Sequence, residues 1–281
     1  MNRLSRTERA QIIRALVEGN SIRSTARMTG AARNTISTLL VQLGAACAAY
    51  QDRALRNLTS RRIECDEIWS FCYAKAKNVP DDKLGTFGYG DVWTWVAIDP
   101  DSKLVPSWLV GTRDLDDALA FMTDLGSRIS GRVQITTDAW RPYAEVIERV
   151  FGTEVDYAQL IKDYGVVDSG DASPTARRYS PNEVLSQMVK VIAGNPHPDL
   201  ISTSHVERNN LSMRMGMRRF TRLTNGFSKK VENHAAMVSL HFMAYNFAKP
   251  HGSLGKNTTP AMTAGVADHV WTPEEIAALL D

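Results

Sequence analysis

The chain has 281 residues, 43% hydrophobic and 23% charged, with three cysteines. It is long enough for one large domain or two smaller ones around a buried core. No apolar run approaches the roughly 18 residues that span a bilayer, and the charged N-terminus is not that of a secretory signal. Cys47, Cys65 and Cys72 lack CxxC spacing, which sets aside a disulfide framework and a zinc site and leads us to expect reduced thiols in a cytoplasm. The net charge of +2 divides unevenly. Residues 1–62 hold eleven Arg and no Lys against three acids, a net +8, so the remainder carries −6. A basic head on a mildly acidic body predicts a polyanion-binding module joined to a second activity.

The head, residues 1–60, reads as three helices. Ser5 and Glu8 form a capping box for the first, which Gly19-Asn20 ends. Ser21 caps a second helix through Met28, Gly30 makes the turn, Ala31–Leu43 forms the third, and a further helical segment, "AACAAYQDRALRNL", leads to a boundary near residues 59–62. Ile12, Ile13, Leu16, Ile22, Ala26, Ile36 and Leu40 are the expected core. Arg33, Asn34, Thr35 and Ser37 then occupy the start of the third helix, where a helix-turn-helix presents side chains to base edges. Arg23 and Arg27 on the second suit phosphates. The expected partner is double-stranded DNA.

From Ile63 the periodicity changes. "RIECDEIWSFCYAK", "DVWTWVAID" and "LVPSWLVG" are strand candidates, the last two joined by the short turn "DPDSK" and therefore antiparallel. In that turn Asp99 and Asp101 read as turn formers. "DLDDALAFMTDLGSRI" reads as an amphipathic helix opened by acids. "VQITTDAW" is a fourth strand, "RPYAEVIERVFG" a helix with Pro142 near its start, and "TEVDYAQLIKD" a short fifth strand. Residues 166–204, rich in Pro, Gly, Ser and Asp, read as a mostly irregular insertion containing a short helix or hairpin. This succession predicts an α/β, ribonuclease-H-like domain over 61–250, with a mixed five-stranded sheet flanked by helices. Residues 251–281 form a C-terminal tail without catalytic signature.

The last segment before that tail includes "STSHVERNNLSMRMGMRRFTR". At 100° per residue, Val206, Met213, Met217 and Phe220 form an apolar stripe, while Glu207, Asn210, Arg214 and Arg218 share another face. The predicted topology brings Asp66 on the first strand, Asp138 at the end of the fourth, and Glu207 together. Three such acids repel unless a cation joins them. All-oxygen ligands suit Mg2+ or Mn2+, and two ions support in-line phosphoryl displacement on a DNA phosphodiester. Asn210, Arg214 and Arg218 would then guide the DNA backbone toward the acid. Apolar residues fall on both parities of the first strand, so pattern does not choose between Asp66 and Glu67. Trp140, His234 and His241 read as packing residues, and His205 as a capping or solvent-facing residue.

"CDEIWSF", "TTDAW", "HVERNN", "RRFTRLTNGFSKKVENH" and "NFAKPHGSLGKNTTPAMTAG" together resemble transposases of the insertion-sequence-one family, which are bacterial DDE recombinases. The likeness runs from about Arg61 to the C-terminus and favours Asp66 over Glu67. It implies Asp66, Asp138 and Glu207 as the catalytic, metal-binding triad. It also implies cleavage at element ends and strand transfer by a freed 3′-hydroxyl. Terminal inverted repeats and target DNA would be the ligands, and a homo-oligomer would join two ends. Family members often carry an N-terminal zinc finger, for which this chain lacks the cysteines. A structure-selective nuclease and a non-catalytic DNA-binding regulator are the rival readings.

Overall fold

The computed structural model describes residues 4–165, 183–221 and 224–281. Alternation of side chains along the first two strands decides how its layers form. On β1 (Arg62–Cys72) and β2 (Gly90–Ile98), Ile63, Cys65, Trp95 and Ala97 point to one face, Ile68, Val96 and Ile98 to the other, and all are buried. Both faces must therefore be covered by helices. β3 (Ser107–Gly111) pairs antiparallel with β2, as β2 does with β1. The β2–β3 turn is held by Asp99, whose Oδ1 accepts from the Asp101 backbone N–H at 2.8 Å. α4 (Leu115–Arg128), capped by Asp114, then crosses to β4 (Val133–Thr137), which lies parallel to β1. α5 (Pro142–Phe151) crosses to β5 (Val155–Gly165), parallel to β4.

Among the described residues the sheet has six strands in the order β3-β2-β1-β4-β5-β6. This mixed α/β arrangement is compatible with a ribonuclease-H-like fold. It differs from the expected five strands in two respects. β5 is a full eleven residues, not a short strand. β6 (Glu183–Ala193) pairs antiparallel with it as a full eleven-residue strand, in the stretch expected to be mostly irregular with a short helix or hairpin. Its signal is the β-branched content of "EVLSQMVKVIA", with Val184, Val189, Val191 and Ile192. Residues 166–182 of the expected insertion lie outside the described residues.

α4 and α5 cover one face, packing Phe121, Met122, Leu125, Tyr143, Val146 and Ile147 on β1, β2, β4 and β5. The other face carries α6 (Ser204–Gly216) and α7 (Val231–Met243), the latter running into a π-helical turn at Ala244–Ala248. The N-terminal helices join this second core. They are α1 (Arg6–Val17), with its Ser5/Glu8 capping box, α2 (Ile22–Thr29), capped by Ser21, and α3 (Arg33–Ala54). α3 joins the expected third helix and the helical segment after it into one, running straight through Gly44, because Leu43 and Cys47 pack in the core shared with α7 and Gly44 lets the Ala236 backbone approach. Ile12, Ile13, Leu16, Ile36 and Leu40 share one hydrophobic cluster with Val206, Val238, Leu240 and Phe242.

Buried polar contacts bind the same parts together. Asn246 Nδ2 donates to Gln51 Oε1 on α3 at 3.1 Å and to the Val105 carbonyl at 2.9 Å. The buried Arg128 guanidinium, at the end of α4, donates to the carbonyls of Gln51 and Leu55. The tail is built in as well: α8 (Pro260–Thr263) and α9 (Pro273–Ala278) bring Ala261, Ile276 and Ala277 into the core. Arg9 reaches Asp281 at 2.5 Å. Among the described residues no helix is long and apolar enough to cross a membrane.

His234 of α7 is fully buried, with Nε2 3.2 Å from Ser70 Oγ of β1 and Nδ1 3.0 Å from Ser228 Oγ. Burial, then the neighbouring Arg219 charge, pushes its pKa down to about 3. At neutral pH the imidazole is uncharged in both folded and unfolded chains. Below about 6.5 the unfolded chain takes up a proton that folded His234 refuses until about 3, so this residue's contribution falls as pH falls through that window. His234→Asn is expected to be destabilising at pH 7, and its deficit against the parent should narrow by about 2 kcal/mol by pH 5; urea unfolding at both pH values measures this. Close contact of α3 with α7 gives a second expectation. A Cβ at Gly44 would lie 2.4 Å from the Ala236 Cα, so Gly44→Val should cost roughly 1–3 kcal/mol, seen as a lowered urea midpoint.

Candidate functional site

Register explains why two distant acids meet. Glu64 on β1 lies beside Thr136 on β4 in the parallel pairing, so Asp66 and Asp138, two residues further along each, emerge side by side at the end of the shared ladder. Oxygens of Asp66, Glu67 and Asp138 all come within 4.8 Å of one another. Burial first, then the Asp138 charge, pushes the Asp66 carboxyl up to about 6. Burial pushes Glu67 up to about 7, against the pull of the Tyr143 hydroxyl and Arg113. The three clustered carboxyls form an all-oxygen donor set, and a hard divalent cation fits it.

The third expected acid arrives on α6. That helix is held by a residue the sequence reading did not single out, the buried Glu64 on β1. Its Oε2 accepts from the backbone N–H groups of His205 at 2.7 Å and Val206 at 3.1 Å, and its Oε1 lies 2.9 Å from His205 Nδ1. A carboxylate on the first N–H groups of a helix satisfies orphan donors and complements the helix dipole. His205 is therefore not the cap but a residue of the capped first turn, its ring held by Glu64. One turn on, Glu207 joins Asp66, Asp138, Arg113, Trp140, Lys162 and Thr203 in lining one cavity of about 330 Å³. Glu207 is outside the tight group of three. Its Oε1 accepts from Lys162 Nζ and, at 2.7 Å, from Thr203 Oγ1.

Asn210, expected to touch DNA, is buried and donates from Nδ2 to Asp66 Oδ2 at 2.8 Å. The structure thus gives it the work of orienting an acid. Arg113 was also not foreseen. It follows β3 and donates from Nε to Glu67 at 3.1 Å and from an amino group to Asp138 at 3.4 Å. Its guanidinium lies 5.1 Å from the Trp93 ring centre and 5.2 Å from that of Trp140. Trp140 packs edge-on against Trp95 at 5.4 Å, so packing holds for it. Neither Arg113 nor Lys162 belongs to a local motif; only the assembled sheet brings them to the acids.

Arg218 corrects the helix-face expectation. α6 ends at Gly216, Met217 is extended, and Arg218–Phe220 form a short 3-10 turn. The buried Met217 and Phe220 anchor that change of direction, and Gly19 lies so close that a Cβ there would meet the Gly216 carbonyl oxygen at 2.8 Å. Arg218 therefore does not share a helix face with Glu207, Asn210 and Arg214. Instead it lines a groove of about 850 Å³ with Arg23, Arg33, Ser37, Arg219 and Lys229. An adjoining depression is lined by Arg23, Arg27, Arg33 and Asn34. Arg23, Arg27, Arg33, Asn34 and Thr35 are exposed, and Ser37 is half-buried.

No family model matches the chain, and no curated protein does. Among solved structures it is similar to the Mos1 mariner paired end complex with Mn, at 15% sequence identity and a TM-score of 0.23. That match covers 55% of this chain and 60% of the other, so it spans less than two thirds of that chain's length.

Proposed function

We propose that the protein is a cytoplasmic, divalent-metal-dependent DDE transposase resembling the insertion-sequence-one family, which binds element ends and cuts and joins DNA. The observation that carries the reading is the convergence of Asp66 and Asp138 from adjacent parallel strands and of Glu207 from α6 on one cavity. Mg2+ or Mn2+ suits the donors, and a bound pair of ions would supply activation of the attacking oxygen and stabilisation of the leaving one. The chain's own residues do the rest. Asn210 fixes the Asp66 carboxylate, Glu64 holds the helix that carries Glu207, and Lys162 and Thr203 hold Glu207 itself. Arg113, exposed beside Asp138, offers a positive charge to a phosphate entering the cavity.

The exposed start of α3, with Arg33, Asn34 and Thr35, together with Arg23 and Arg27 of α2, is the expected end-reading helix-turn-helix surface. Two ends must be joined, which calls for more than one copy of the chain. A second ligand set has its own support: Glu67, and not Glu207, belongs to the tight oxygen group.

Asp138→Asn is expected to abolish Mg2+-dependent cleavage of DNA carrying the element ends, with end binding unchanged; cleavage at the parent rate by that variant would remove the enzymatic reading. Glu207→Gln and Glu67→Gln separate the two ligand sets. The set containing Glu207 predicts a loss of cleavage of about 10²–10³-fold in the first variant and little in the second. Transfer of a pre-cut end into plasmid DNA, followed on a gel, distinguishes a transposase from a nuclease that cuts without joining.

A further inference from the structure

Beyond Arg113, one face of the β1–β2 pair carries a row of aromatic side chains that neither core absorbs. Trp93 lies opposite Trp69 in the register. The Trp69 and Phe71 rings are 5.8 Å apart, and Phe71 and Phe227 are 4.7 Å apart. None of these four belongs to either hydrophobic cluster; Phe71 is buried, while Trp69, Trp93 and Phe227 keep part of their surface open and are the rings a base can reach. The row begins at the acids, because the Arg113 guanidinium that contacts Asp138 and Glu67 also lies over Trp93. It ends in cations. Lys75 Nζ is 5.9 Å from the Phe71 ring centre and Lys229 Nζ is 3.8 Å from that of Phe227. There a depression of about 570 Å³ is lined by Phe71, Tyr73, Lys75, Lys77 and Phe227, among others. Asp91, opposite Phe71, is an acidic exception.

We propose that this row is a binding track for single-stranded DNA leading away from the carboxylates. The proposal rests on the reading of the carboxylates as a DNA-processing site and names the form of DNA held beside it. Aromatic rings interleaved with cations suit an unpaired strand, whose bases stack on the rings while the cations meet its phosphates. A duplex offers no free base faces. From Asp66 to Phe71 the strand advances about 17 Å, room for about five bases at 3.4 Å each. The lysines and Arg113 complement a polyanion, and continuity with the acids gives the strand a reason to be there.

The test uses the full chain in EDTA, with fluorescein-labelled dT12 and a 12-base-pair duplex as probes, read by anisotropy over a range of KCl. Trp69→Leu is expected to weaken dT12 binding about tenfold, Trp69→Phe to retain most of it, and duplex affinity to change less than about twofold. Lys75→Glu with Lys77→Glu, both at exposed positions, should weaken dT12 and reduce the salt slope by about 1.4. If Trp69→Leu does not fold, this charge pair decides. The track is overturned if folded Trp69→Leu, or the charge pair, binds dT12 within twofold of the parent, or if single-strand and duplex binding fall together. Because no metal is present, these results stand apart from cleavage. A parent protein that cleaves DNA while the variants keep dT12 affinity would sink the track alone, whereas a parent that never cleaves would sink the reading on which it rests.

Discussion

Like charges held together against their repulsion are the constraint around which this molecule is arranged. Parallel pairing of β1 with β4 fixes Asp66 beside Asp138, and the adjacent Glu67 adds a third carboxyl. Left in water, such groups would separate; here the backbone ladder denies them that freedom. Each nearby device answers the resulting strain. Arg113 bridges Glu67 and Asp138, Asn210 donates to Asp66, and Lys162 neutralises Glu207 across the cavity. What remains is a preference for a proton or a cation, seen in the raised pKa of Asp66 and Glu67.

Glu64 links that arrangement to the rest of the chain. It lies on the same strand as Asp66 and two residues before it, so both point to one face. Using its carboxylate to cap α6 ties the position of Glu207 to the strand that bears Asp66. α6 in turn buries Val206 and Met213 in the core shared with α1 and α3. The N-terminal helices are therefore coupled by packing to the element that carries an acid of the cavity. Should they grip an element end, its position relative to the acids would be set by a hydrophobic core and not by a flexible tether.

Much of this was legible in the sequence, for local reasons. The Ser5/Glu8 capping box, the acid-opened helix α4, the aromatic and β-branched strands, the Pro142 helix start and the Asp99 turn are fixed by residues a few positions apart, and each formed as expected. The succession of strands and helices then limited the topology, which is why Asp66 and Asp138 could be paired in advance. Less legible were the continuity of α3 and the full length of β5 and β6. Gly44 is a local stop signal, and α3 runs through it because distant partners reward the extension: Ala236 of α7 packs against Gly44, and Arg128 and Asn246 hydrogen-bond Gln51.

The sequence by itself determined the elements, their order and the acids worth watching, because propensity, capping and periodicity act over short distances. Tertiary structure alone decided the partners of those acids. Arg113, Lys162, Glu64 and Asn210 have no shared motif, and a salt bridge between residues 45 apart in sequence exists only once the sheet is built. It also decided where α6 stops: a run of arginines at helical spacing continues through Arg218, but burial of Met217 and Phe220 outweighs the helical pattern and turns the chain aside.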